Sequence, residues 1–137
     1  MTTNNGPRKS NSHGIDEGLA HHGHVSYLEI PAVNIEESAS FYEGVLGWSI
    51  QRRAPGNCSF DDGSGALIGK WVTCNAPSRD PGLLPYIYVD GIDAVAQRVV
   101  ALGGQILKPP YPEGNLWVAT FRDPAGNVMG IWQAGPR

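Results

Sequence analysis

The chain has 137 residues, a length that supports one domain with a single core. Its 41% hydrophobic and 17% charged residues, with a formal net charge of -3, leave no basic excess for neutralising phosphates, so we expect no nucleic acid partner. No apolar run approaches the roughly 20 residues that span a bilayer, and no apolar secretory region follows the N-terminus, so we expect a cytoplasmic protein with no membrane partner.

The N-terminal residues 1–23 are rich in Asn, Ser, Gly and charge and show no apolar period. Such a segment cannot offset the entropy lost on ordering, and we expect a flexible tail. Three histidines, His21, His22 and His24, could together bind a transition metal, an association that we expect to be adventitious.

The folded domain is expected to span residues 24–137 and to open with a strand, VSYLEI, whose β-branched and aromatic residues favour a pleated surface. Asn34 is a plausible N-cap for a helix of about three turns, because apolar residues then recur at helical spacing until Gly47. The sequence therefore predicts a strand followed by a capped helix.

The same pattern occurs twice in the chain. When the sequence is aligned with itself at a shift of 57 residues, the predicted strand, helix, glycine and next strand of the first half coincide with those of the second half. With a shift of 61 residues, FDDGSGALIGKW matches FRDPAGNVMGIW, which predicts a strand, a tight Asp/Gly turn and a strand at the end of each half. The four extra residues are expected to form a longer loop at KPPYPEGN.

These matches divide the domain into repeat one at 24–74, a linker at 75–83 and repeat two at 84–134. A unit of one helix and about four short strands cannot cover both faces of its own sheet. The two repeats should therefore share a core or surround a common cavity.

The duplicated pattern resembles the vicinal oxygen chelate superfamily, which includes glyoxalases, extradiol dioxygenases and bleomycin-type resistance proteins. The resemblance covers about residues 24–134 and rests on IPAVNIEESASFYEGVLGW, VDGIDAVAQRVVALGG and FRDPAGNVMGIW. It implies an α+β fold in which two βαβββ repeats form a curled mixed sheet around a pocket, frequently in a homodimer.

Metal-dependent members of that superfamily place a His, Gln or Glu on the first strand of each unit and a Glu on the last. The resemblance puts the first-strand positions at Tyr27 and Leu84 and the last-strand positions at Gly69 and Gly130. Leucine and glycine side chains offer no donor atom, and tyrosine is an uncommon ligand. We therefore expect no metal in the pocket and no other cofactor.

Glu29 lies two residues after Tyr27 on the same strand face, and its mate in the second repeat is Tyr86. A carboxylate between apolar neighbours either points into a solvated cavity or is destabilised by desolvation. Glu29 is accordingly the candidate general acid or base, with Tyr27 as a candidate catalytic partner. The alternative is a structural carboxylate that accepts a hydrogen bond from a backbone group or a tyrosine.

The ligand-binding surface is expected to include Tyr86 and Tyr88, which could orient a carbonyl or hydroxyl group, or simply fill space. By strand alternation the aromatic side chains of Trp71 and Trp132 should face the same side as Gly69 and Gly130, where they form two pocket walls or pack in the core. The two glycines either leave room for a ligand or mark a bulge or close packing.

The remaining polar features have structural interpretations. Asp62 and Asp123 occupy matching turns and are expected to cap local backbone donors. Cys58 and Cys74 are too few for a disulfide framework and are expected to be reduced, half-buried thiols.

The leading hypothesis is a protein of the glyoxalase/bleomycin-resistance type that binds a small metabolite in a metal-free pocket, and its extension is a lyase or isomerase activity. One alternative is a non-catalytic protein that sequesters a drug or metabolite or regulates a partner. The other is a metal-dependent lyase or dioxygenase with atypical ligands.

Overall fold

A computed structural model describes residues 16–137, so the expectations that concern residues 1–15 lie outside the described part of the chain. The elements follow one another as β1 (Tyr27–Pro31), α1 (Ile35–Leu46), β2 (Ser49–Ala54), β3 (Asn57–Asp61), β4 (Ile68–Val72), β5 (Tyr86–Tyr88), α2 (Ile92–Ala101), β6 (Gln105–Glu113), β7 (Leu116–Arg122) and β8 (Val128–Ala134).

Each half of the chain forms a four-stranded sheet of the same design. The first sheet has the order β1-β4-β3-β2 and the second has the order β5-β8-β7-β6. Each sheet has one parallel pair, which is β1 with β4 in the first and β5 with β8 in the second. The helices pack on the sheets of their own halves and contact each other, and one hydrophobic core joins both halves. The expected α+β fold of two βαβββ repeats is confirmed.

The two helices begin differently. The N-cap of α1 is Asn34, whose Oδ1 accepts the Glu37 N–H at 2.9 Å, and Gly47 ends the helix with φ 74°, as the sequence predicts. The N-cap of α2 is Gly91, which has no side chain, and Oε1 of Gln133 on β8 accepts the Ile92 N–H at 2.8 Å instead. The second helix therefore depends on its own sheet for a cap.

The extra length of the second half lies in β6 and not in a loop, which corrects the expectation for KPPYPEGN. The pairing of β6 with β7 shifts register twice, and the extra residues are taken up in these irregularities. Because β6 is at the end of its sheet, its prolines need not donate a hydrogen bond to a further strand.

A one-residue difference between the two Asp/Gly turns decides which side chains reach each sheet face. The Asp62 N–H donates to the backbone carbonyl of Leu67, and the Asp123 N–H donates to that of Asn127. In the matched sequences Asn127 stands one position before the counterpart of Leu67, so the second turn is one residue shorter. Beyond the turn the repeats are therefore related by 60 residues and not 61, and Lys70 is the counterpart of Gly130. Side chains alternate along a strand. The extra residue in the first turn therefore places each residue of β4 on the sheet face opposite to that of its sequence match in β8.

The second turn is the more deeply buried of the two. Oδ1 of Asp123 accepts the N–H groups of Ala125, Gly126 and Asn127, while Oδ2 accepts the Tyr42 hydroxyl and Asn127 Nδ2, each at 2.8 Å. Burial raises the pKa of the Asp123 carboxyl, and burial together with Asp123 raises that of Tyr42. The capping role expected for Asp123 is confirmed.

The side chain of Asn127 extends this hydrogen-bond network to other elements. Its Nδ2 donates to the Pro31 carbonyl at the end of β1, and its Oδ1 accepts the Ser78 N–H in the linker, at 2.6 and 2.7 Å. The turn of the second half is thereby fixed to the first strand and to the segment that joins the halves.

Residues 16–24 form turns beside the first Asp/Gly turn. His24 Nε2 lies 2.6 Å from the Ala66 carbonyl, and Gly18 packs against the backbone of Gly65. No helix within residues 16–137 is long and apolar enough to cross a membrane.

The two cysteines have unequal environments, which corrects the expectation of two half-buried thiols. Cys58 is buried and Cys74 is exposed. Burial raises the pKa of the Cys58 thiol, which donates to the Glu36 carboxylate at 3.2 Å. Hydrogen bonding to Arg52 lowers the pKa of Glu36.

Candidate functional site

A cleft of about 600 Å3 lies between the two halves of the chain. It is bounded by β1, the end of α1 and the first Asp/Gly turn on one side, and by β5 and α2 on the other. Most of its wall is apolar, and the larger apolar side chains are Leu28, Leu46, Trp48, Leu67, Ile87 and Met129. The cleft can therefore take an apolar molecule of metabolite size.

The wall is rigid where Trp48 contributes to it. The Trp48 ring stacks on Phe60 and on Tyr42 with centroid distances of 4.5 and 4.9 Å, and the residue is 6% exposed. An aromatic stack of this kind is stabilised both by apolar burial and by ring geometry. The first half of the chain thus presents a fixed surface to the cleft.

Tyr86 and Tyr88 lie at the rim of the cleft, but their rings are on the sheet face of Gly130 and Trp132, which is turned away from α2. They are 48% and 51% exposed. The Tyr88 ring meets Trp132 edge to face at a centroid distance of 4.9 Å. Trp132 lies on the face of the second sheet that is turned away from α2, so it supports Tyr88 but does not itself line the cleft.

The two glycines predicted at the pocket are sites of close packing. A Cβ on Gly130 would collide with the Tyr86 ring, so Gly130 leaves room for that ring. A Cβ on Gly69 would collide with the Leu28 carbonyl and would lie 2.5 Å from the Phe60 ring. Of the alternatives left open by the sequence, the structure has close packing at both positions.

Of the two alternatives that the sequence leaves open for Trp71, a pocket wall or the core, the structure has the core. Trp71 is 2% exposed and packs against Tyr42 and Phe60 at centroid distances of 5.8 and 5.1 Å. The cause is the longer first turn, which places Gly69 and Trp71 on the helix-facing side while their sequence matches Gly130 and Trp132 lie on the opposite side.

Glu29 lines a second cavity of about 190 Å3. This cavity shares Leu28, Pro85 and Met129 with the cleft, so the two spaces adjoin along β1. Tyr27 is 51% exposed and lines neither space. Glu29 is thus an exposed residue beside a cavity that adjoins the cleft, and Tyr27 lies outside both spaces.

The four positions that the resemblance assigns to metal ligands do not fit a divalent ion. With the corrected register, the last-strand position of the first half is Lys70, which pairs with Glu29 across β1 and β4, and not Gly69. The set is then Tyr27, Leu84, Lys70 and Gly130, which includes a cation and two side chains without donor atoms. Across residues 16–137, no three His, Cys, Asp or Glu residues are grouped to hold a metal.

The polar residues of the cleft were not identified from the sequence. Asp62, Ser64, Asp90 and Arg98 line it, and Arg98 comes from α2. Gly91, Ala94, Val95 and Arg98 all face the cleft, at intervals of three and four residues along the chain. This helical spacing is the signal by which Arg98 could have been found.

Comparison with known proteins places the chain in a family. The family model described as the Glyoxalase/Bleomycin resistance protein/Dioxygenase superfamily matches residues 18–131. The chain is 30% identical to the putative glyoxylase CFP32 of Mycobacterium bovis over 121 residues, which cover 82% of this chain and 46% of that protein.

Two further proteins are similar over most of the chain. The anthracycline biosynthesis protein DnrV of Streptomyces peucetius is 26% identical over 137 residues, covering 82% of this chain and 48% of DnrV. The chain thus spans about half the length of DnrV and CFP32. The crystal structure of TnmS3, an antibiotic binding protein from Streptomyces sp. CB03234, superposes with a TM-score of 0.63 at 24% identity, covering 84% of this chain and 100% of TnmS3. The chain belongs to the glyoxalase/bleomycin resistance protein/dioxygenase superfamily.

Proposed function

We propose that this protein binds a small, partly aromatic or carbonyl-containing metabolite in the cleft and that it does so without a metal ion. The observation that carries the proposal is the cleft itself, about 600 Å3 in volume with a mostly apolar wall that includes Leu28, Trp48 and Ile87. Small-molecule sites are typically clefts of about 300–1,000 Å3 lined by apolar and aromatic side chains with a few polar groups.

The names of similar proteins support a ligand of this size. TnmS3 is named as an antibiotic binding protein, and DnrV is named for anthracycline biosynthesis. The metal-free part of the proposal rests on the donor set, since Leu84, Lys70 and Gly130 stand where ligands would be required.

The proposal includes a homodimer in the cytoplasm. Strands β1 and β5 lie at the ends of their sheets and carry the half-exposed tyrosines Tyr27, Tyr86 and Tyr88. An uncovered edge strand invites pairing with another chain, and a second copy of this protein would cover it.

The apolar wall can be tested with the neutral tricyclic compound 9-anthracenecarboxamide as a fluorescent probe. We expect Leu67→Ala to weaken binding by about tenfold, because the variant removes apolar area from the wall of the cleft. The matched control is Leu107→Ala, since Leu107 lies on β6 at the far end of the second sheet and lines neither cavity. Equal affinities of the wild type and both variants would remove the cleft from the proposal.

Catalysis by Glu29 is the stronger form of the proposal, with lyase or isomerase chemistry on a carbonyl compound. Its support is the position of Glu29 in the cavity that adjoins the cleft. For any carbonyl substrate that mass spectrometry shows to be converted, Glu29→Gln should lower kcat by at least about 100-fold, the scale of general acid–base catalysis. The affinity for 9-anthracenecarboxamide should not change. A variant that keeps full turnover would reduce the function to binding.

A further inference from the structure

The guanidinium group of Arg98 is held at the wall of the cleft by the end of the other helix. Its Nε and Nη2 both donate to the Val45 carbonyl, at 3.4 and 3.3 Å. Val45 and Leu46 line the cleft as well, so the guanidinium lies where the last turn of α1 meets the cavity. Two donors on one acceptor fix the orientation of the planar group and leave its other N–H groups for a ligand.

The charge of Arg98 is not neutralised by a neighbouring acid. Within the part of the chain that the structure describes, Arg98 has no ion pair. The last turn of α1 has no basic residue of its own, and Arg98 therefore supplies the positive charge that the carbonyl end of that helix favours. A helix end carries only a partial charge, which leaves most of the positive charge of Arg98 to act on the cleft.

The acidic residues of the cleft leave space for an anion beside Arg98. Within the described residues, neither of the acidic residues that line the cleft, Asp62 and Asp90, forms an ion pair with Arg98. Oδ1 of Asp62 already accepts both the N–H and the hydroxyl of Ser64, at 2.9 and 2.6 Å.

We propose that Arg98 is a specificity-determining residue that selects aromatic ligands bearing a carboxylate or another acidic oxygen. The inference rests on the proposed function, since it names the class of molecule that the cleft binds. The aromatic part of the ligand lies against the apolar wall of the cleft, which includes Leu28, Trp48 and Val95, and the acidic oxygen accepts hydrogen bonds from the free N–H groups of Arg98. Charge-assisted bonds of this kind are about twice as strong as neutral ones and discriminate against a ligand that lacks the charge.

The test compares two probes that share one ring system, 9-anthracenecarboxylate and 9-anthracenecarboxamide, by fluorescence titration at pH 7. We expect the wild type to prefer the carboxylate by about tenfold. Arg98→Met should abolish that preference while the carboxamide binds within about twofold of the wild type, which also shows that the variant is folded. Arg98→Lys keeps the charge but not the fork of donors and should retain part of the preference.

The control variant is Arg53→Met, because Arg53 lies on β2, donates to Gln51 and lines neither cavity. It removes the same net charge and should leave the preference for the carboxylate intact. A preference that survives Arg98→Met, or falls equally in Arg53→Met, would overturn the role of Arg98 while leaving the proposed function standing. A wild type that binds neither probe would overturn both.

Discussion

Asp123→Ala is expected to lower the free energy of unfolding by about 3 kcal/mol. The substitution removes the acceptor for three backbone N–H groups, for the buried Tyr42 hydroxyl and for Asn127 Nδ2. Each buried donor left without a partner costs roughly 1–3 kcal/mol, and partial relaxation of the turn reduces the sum. Urea denaturation followed by far-UV circular dichroism measures the difference.

The repeat provides the control for this prediction. Asp62 occupies the matching position in the first turn, but its hydrogen bonds are to the exposed Ser64. Asp62→Ala should therefore cost less than about 1 kcal/mol, the usual scale of an exposed local hydrogen bond. Similar losses for the two variants would show that burial of the second turn does not stabilise the link between the halves.

Gly69→Ala is expected to cost about 3 kcal/mol as well, for a steric reason. The new methyl group would collide with the Leu28 carbonyl of β1 and with the Phe60 ring, which lies 2.5 Å from the added carbon. Neither neighbour is the end of a flexible side chain, so either the β1–β4 pairing or the stack of Phe60 on Trp48 must shift. Overpacking of this kind typically costs 1–3 kcal/mol and occasionally more.

Gly82→Ala is the matched control, because a Cβ on Gly82 would meet no atom within 4 Å and its φ is not positive. That variant should change the free energy of unfolding by no more than about 0.5 kcal/mol. If Gly69→Ala were equally mild in the same denaturation experiment, the close approach of β1 and β4 at this residue would be contradicted.

Much of the fold could be predicted because the signals are local and occur twice. Asn34 and Gly47 fix the ends of α1 by hydrogen bonding and by backbone conformation, without reference to the rest of the chain. The repeated Asp/Gly turns likewise locate the last two strands of each half. The recurrence of one order of strand, helix and turn signals in two places is strong evidence for a duplicated unit.

The faces of β4 could not be predicted, because a one-residue difference in turn length reverses every side chain that follows. The sequence match between Trp71 and Trp132 is correct as an alignment of letters, yet one residue lies in the core and the other on the opposite sheet face. The role of Arg98 depends on contact with Val45, 53 residues away in the chain, and such contacts are not visible in local patterns.

The most direct test of the central claim is calorimetric titration of the full chain with 9-anthracenecarboxamide after dialysis against EDTA, repeated with added Zn2+ or Ni2+. Metal-free binding in the cleft predicts one probe per chain, with the same Kd in both conditions. Binding that appears only after a metal is added, with one ion retained per chain, would contradict the claim and favour a metal-dependent site with ligands other than Tyr27, Leu84, Lys70 and Gly130.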